Sequence, residues 1–199
     1  MEGWKKARDE TYPIVKELAR IAPGYSYEDE GKAIATDQKV TDVIVRALRS
    51  CKNRLFFTIQ LLYELQHESL NNGLEDLRDE IDIFSDEIKA RRCKWSYSSV
   101  ELLKKLVRQD YRFITMLKEL DSMLETVHND ALEMKEIRYG HKAEFEPGKV
   151  SRLKQDIKKA FGMVQELVVL FREREAICNL EAATLEKTFE RISRQLEGG

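Results

Sequence analysis

The chain is poor in residues that end or bend helices. Its 199 residues include only 9 glycines and 3 prolines, and between Pro23 and Pro147 the glycines are Gly24, Gly31, Gly73 and Gly140. Sandwiches, barrels and βαβ folds need turn residues far more often, so this scarcity argues against them. Cysteine is scarce too: Cys51, Cys93 and Cys178 form no C-x-x-C pair. An odd, scattered set points to reduced thiols in the cytoplasm rather than to a disulfide framework. Long apolar runs are missing. The most apolar stretch, Leu55–Leu65, is broken by Thr58, Gln60 and Glu64 and is shorter than the roughly 20 residues a membrane span needs. The opening MEGWKKARDE has no apolar core, so no secretory signal is expected there. The motifs G-x-x-x-x-G-K-[ST], G-x-G-x-x-G and G-x-S-x-G are absent as well, which removes the usual signatures of phosphate binding and serine hydrolysis.

What the chain does have is helical periodicity. Trp4, Ala7, Val15 and Leu18 share one side of a first helix, with Pro13 an internal break or a second start and Pro23-Gly24 its end. A second stripe runs Val40, Ile44, Ala47, Cys51, Leu55, Ile59 and Leu62, starting near the capping types Thr36 and Asp37. From Leu55 onward this helix is apolar nearly all round, which predicts a central buried element. Asn71-Asn72-Gly73 is the expected break before Leu74, Leu77, Ile81, Phe84 and Ile88. A fourth helix carries Leu103, Val107, Ile114, Leu117, Leu124, Val127, Ala131 and Met134.

The last segment repeats Val150, Ile157, Val164, Phe171, Cys178, Leu185 and Ile192 every seven residues. The companions Leu153, Ala160 and Leu167 follow by three, whereas Ala182, Phe189 and Leu196 follow by four. A seam that rotates around the charged run 172–175 is therefore expected. Together these patterns predict an all-α fold, an elongated, mainly antiparallel bundle of four to five long helices. The expected spans are 4–22, 36–70, 74–92, 99–138 and 150–197, with a linker at 139–149, all in one domain 1–199. The last span alone would be ~70 Å long at the rise of an α-helix, against a radius of gyration of ~16 Å for a compact chain of this size. That mismatch is why elongation is expected.

Charge cancels overall but is segregated. Residues 64–88 hold nine acidic side chains and one basic, whereas residues 89–116 hold eight basic and two acidic. The basic block interleaves Arg91, Arg92, Lys94, Lys104, Arg108 and Arg112 with Trp95, a combination that can bind phosphates and stack on unpaired bases. The commoner role for such a block is to pair with an adjacent acidic helix, and the overall pI near 6.0 favours that role. Arg91, Arg92 and Lys94 also flank Cys93, making it the most reactive candidate among the thiols.

Two Glu-x-x-His motifs, Glu64 with His67 and Glu125 with His128, offer i and i+3 ligand pairs. Di-iron carboxylate bundles use two such motifs, so an iron or manganese site is an alternative to a chain with no cofactor. The reading favoured by the sequence is a soluble, non-enzymatic interaction or scaffold protein that binds a protein partner or itself. Nucleic acid is an alternative partner, and a membrane is not expected.

Overall fold

Local sequence sets where each helix begins and ends, and it does so partly at unexpected residues. A computed structural model describes residues 2–91, 99–139 and 147–197, with side chains over 3–91, 99–135 and 148–178. The described residues form six helices and no strand: α1 Glu2–Glu10, α2 Tyr12–Ile21, α3 Glu30–Glu64, α4 Glu68–Ala90, α5 Val100–Tyr139 and α6 Pro147–Glu197. An all-α helical fold is the result.

The predicted first helix is two, because Thr11 separates them and Pro13 stands in the first turn of α2, where its missing N–H costs nothing. Thr11 is buried and its hydroxyl donates to the Ala7 carbonyl at 2.8 Å.

Helix α3 begins at Glu30, six residues before the expected start. The cap is Asp29, whose Oδ1 accepts the Lys32 N–H at 2.8 Å. Thr36 is then inside the helix, fully buried, and its hydroxyl ties to both the N–H and the carbonyl of Ser26 at 2.9 and 2.8 Å.

The break after α3 also moves. It falls at Leu65–His67, and Asn71-Asn72-Gly73 lies within α4. Gln66 adopts φ 59°, His67 N–H donates to the Leu62 carbonyl at 3.2 Å and Gln66 N–H to Tyr63 at 3.0 Å. That pair of bonds is a Schellman C-cap, built here on glutamine where glycine is usual. The His67 carbonyl then accepts the N–H groups of Leu70 and Asn71, starting α4.

The described chain divides into two compact units. The first comprises Met1–Val43, Arg91–Phe113 and Leu170–Gly199; the second comprises Ile44–Ala90 and Ile114–Val169. In the second, Lys52 of α3 meets Asp82 of α4 at 2.6 Å, and Val45 and Arg49 share a hollow with Ser85 and Lys89, so α3 and α4 are antiparallel. Helices α3 and α5 run in the same direction: Arg54 meets Asp121, Thr58 meets His128 and Glu64 meets Lys135. In the first unit, Gln109 bonds Glu173 and Phe113 packs on Phe171, an antiparallel pairing of α5 with α6.

The core follows the seams closely. The expected apolar positions of α4 and α5 are all buried. In α3, Leu48 replaces Ala47 in the buried stripe. The all-round apolar stretch after Leu55 is not buried all round: Phe56, Phe57 and Tyr63 are 48%, 57% and 73% exposed.

Gln66→Gly tests the cap. A side chain in the left-handed region is disfavoured by roughly 1–2 kcal/mol, so relief of part of that cost should raise stability by about 0.5–1 kcal/mol. The expected readout is a higher denaturant midpoint at unchanged slope.

Candidate functional site

The first unit holds a cluster of charge that the apolar seams conceal. Asp110 stands on the inward stripe of α5 between Val107 and Phe113, and Arg174 follows Leu153, Ala160 and Leu167 at seven-residue spacing on α6. Both side chains are buried, Asp110 at 0% and Arg174 at 1% exposure. Arg174 Nε donates to Asp110 Oδ1 at 2.5 Å and its Nη1 to Asp37 Oδ1 at 2.6 Å. The second oxygen of Asp110 accepts two phenols, Tyr25 at 2.7 Å and Tyr27 at 2.8 Å. The charged run of α6 is therefore split: Arg172 and Glu173 are exposed, whereas Arg174 keeps the seam position and brings its charge inside. Glu175, also buried, pairs with Arg91.

The two tyrosines belong to the loop between α2 and α3. They stack edge-on at 5.3 Å between ring centres, and Trp4 of α1 packs edge-on against Tyr27 at 5.7 Å. Burial, reinforced by the Asp110 carboxylate, pushes both phenols well above their ordinary range. Burial opposes the charge of Arg174, but Asp110 and its neighbours outweigh it and hold the guanidinium protonated. The loop carrying Tyr25 and Tyr27 is thereby joined to three helices through one carboxylate. The Asp110 carboxylate and the two phenols are buried and bonded to one another, an arrangement suited to holding structure rather than to turning over a substrate.

The predicted metal motifs do not assemble a ligand set. Glu64 is exposed and pairs with Lys135 at 2.5 Å; Glu125 is exposed on α5. His67 lies in the α3–α4 break, and His128 Nδ1 faces the Thr58 hydroxyl at 2.9 Å. That hydroxyl also contacts the Arg54 carbonyl at 2.8 Å. A carbonyl can only accept, so the single hydroxyl proton goes to Arg54 and His128 Nδ1 donates to Thr58. Burial, with the nearby Arg54 charge, lowers the His128 pKa and favours this neutral ring. Among the described residues, no three His, Cys, Asp or Glu side chains form a group able to hold a metal ion.

The basic block is divided. Arg92, Lys94, Trp95 and Cys93 lie outside the described residues. Lys104 is paired with Glu10 at 2.7 Å and Glu101 at 2.6 Å, and Arg91 with Glu175, whereas Arg108 and Arg112 are exposed on α5. Lys104 thus binds carboxylates of α1 and of α5 itself, and Arg91 binds one of α6.

Cys51 and Cys178 are buried, as their places on apolar faces predict. Burial and the neighbouring Asp121 push the Cys51 thiol up to about 12, so it behaves as a small apolar side chain. No helix of the described residues is long and apolar enough to cross a membrane. Compared with known proteins, the chain matches no family model, no curated protein and no solved structure.

Two measurements check the cluster. Arg174→Met leaves the Asp110 carboxylate buried without its cation and should cost about 3–5 kcal/mol, while the double variant Arg174→Met/Asp110→Asn should lose less than the two single losses together, as read by urea denaturation. The phenols set an alkaline limit. Their folded pKa values are raised, so their contribution is intact below the unfolded value near 10 and declines as pH climbs above it toward the folded values. Tyrosinate absorbance of Tyr25 and Tyr27 should therefore appear only with unfolding, and Tyr25→Phe/Tyr27→Phe should remove that coupled step.

Proposed function

We propose that the chain is a non-enzymatic helical interaction module of the cytoplasm, which binds a protein partner through an exposed helix face. The observation that supports this reading most is the outer face of α3. Phe56, Phe57 and Tyr63 are large, apolar and about half or more exposed, and the rings of Phe56 and Phe57 lie 5.7 Å apart. Phe56 and Tyr63 are seven residues apart, hence on the same side of the helix, with Gln60 between them. Aromatic side chains grouped on a surface are the usual anchors of protein interfaces, where they are desolvated by a partner.

The remaining features agree with a binding role. The Asp110 cluster ties the loop before α3 to α3, α5 and α6, which fixes the helices that a binding surface needs. Both described cysteines are buried thiols, in keeping with a reducing compartment. Partner binding through a rigid helix surface needs none of the chemistry the sequence lacks, and it uses helix faces as recognition elements.

A photoreactive residue at Gln60 tests the reading in cells. The expected result is a discrete protein adduct that a probe at exposed Glu119 of α5 does not give. Phe57→Ser/Tyr63→Ser should leave the helical content unchanged and weaken capture roughly 30-fold, the loss expected from removing about 2 kcal/mol of binding energy in all. Identical adducts from both positions, or none, would overturn the proposal.

A further inference from the structure

A second surface in the α4/α6 pair differs from the aromatic face of α3 in both shape and charge. Helices α4 and α6 of the second unit leave an open hollow of about 530 Å³ between them. Ile157 and Phe161 of α6 contribute apolar wall, and Ile83 of α4 projects beside it, 66% exposed. The flanks are of opposite sign. Asp76, Asp79 and Glu80 line the α4 side, and Lys154 and Lys158 line the α6 side. Asp79 is held by Arg78 at 3.0 Å; Asp76, Glu80, Lys154 and Lys158 are in no ion pair among the described residues.

Two helix-interior glycines lie on the same surface. Gly73 is in the hollow, where an added Cβ would only touch Ile157 at an ordinary 3.4 Å. Gly162 follows Lys158 by one turn, and an added Cβ there would meet nothing within 4 Å. Glycine weakens a helix relative to alanine, and no packing inside the described chain requires it at either place. Removing side chains at these positions lowers the surface and lets another helix approach closely.

We propose that this groove is the face through which two copies of the chain associate. The argument is symmetry. A dimer interface uses the same patch twice, so the patch has to complement itself. A two-fold axis running along the groove places α4 of each copy over α6 of the other. The acidic flank then meets the basic flank at both edges, and the exposed Ile83 side chains and the apolar walls fall between them. A two-fold axis across the groove would instead set acid against acid and base against base, which costs affinity. The groove's two signs thus select both the partner, a second copy, and its orientation. This inference deepens the proposed interaction role and rests on it, but it uses a surface separate from the α3 aromatic face.

A charge-swap pair of full-length chains tests it. One variant carries Asp76→Lys/Asp79→Lys/Glu80→Lys, so that both flanks are basic; the other carries Lys154→Glu/Lys158→Glu, so that both are acidic. The expected result is that the wild-type chain sediments as a dimer at micromolar concentration and each variant alone as a monomer. Mixed, the two variants form a one-to-one heterodimer at least roughly tenfold tighter than either homodimer. Ile83→Asp should give a monomer with unchanged circular dichroism, and equal helicity of all variants shows that folding is not what changed. A wild-type monomer throughout the micromolar range, a dimer that survives both swaps, or swapped chains that fail to pair would overturn the proposal. Such an outcome leaves crosslinking from Gln60 unaffected, so the two proposals fail separately.

Discussion

Everything in the first unit depends on one buried carboxylate. Asp110 is taken fully out of water, and an isolated carboxylate in that position would be unsustainable. It is sustained because its two oxygens receive a guanidinium on one side and two phenols on the other. The donors come from the loop before α3 and from α6, and Asp37, two turns into α3, completes the pairing of Arg174. Segments separated by up to 137 residues are therefore held by one shared set of bonds. Such a cluster contributes little net stability compared with apolar packing, but it penalises wrong arrangements heavily. A one-heptad slip of α6 against α5 would set Leu167 or Glu181 opposite Asp110 and strand the charge.

The second unit relies on a different balance. Its core consists of the apolar seams of α3 to α6, with polar contacts such as Arg54–Asp121 and Lys52–Asp82 at the edges. Apolar contacts are forgiving of direction, which accommodates α3 and α5 running the same way while successive helices reverse. The information that would distinguish this unit lies on its outside. The aromatic face of α3 and the two-signed groove of α4 and α6 are the features that core packing does not demand.

Much of the fold was legible because helix periodicity is a strong signal. Scarce glycine and proline implied long helices, and the seams of α4, α5 and α6 from Leu153 to Cys178 coincide with buried positions. Boundaries were less legible for identifiable reasons. The α3 C-cap uses Gln66, which carries no compositional mark, whereas Asn71-Asn72-Gly73 carries a strong one and is overridden by burial of Leu70 and Leu74. At the other end, Thr36 and Asp37 have capping chemistry but spend it on Ser26 and Arg174. The buried cluster did leave a trace. Between Val107 and Ile114 one apolar turn is missing, and Asp110 fills it; after Leu167 the next seam position is Arg174. Two opposite charges at vacant seam positions on neighbouring helices are a readable sign of a buried pair. By contrast, the Glu-x-x-His motifs looked informative only because spacing along one helix says nothing about what the opposite helix supplies.

The phasing of Arg174 has a consequence for how this chain can vary. Phe171 packs on Phe113, and Arg174 reaches Asp110 less than one turn later on the same helix. One extra residue between them would turn everything downstream by about 100° and advance it by about 1.5 Å. The guanidinium would leave the carboxylate and a different side chain would enter the interior. Substitutions on the solvent face of α6 leave this phasing intact, but this short stretch has a reading frame of its own, and length changes there are the alterations the fold can least absorb.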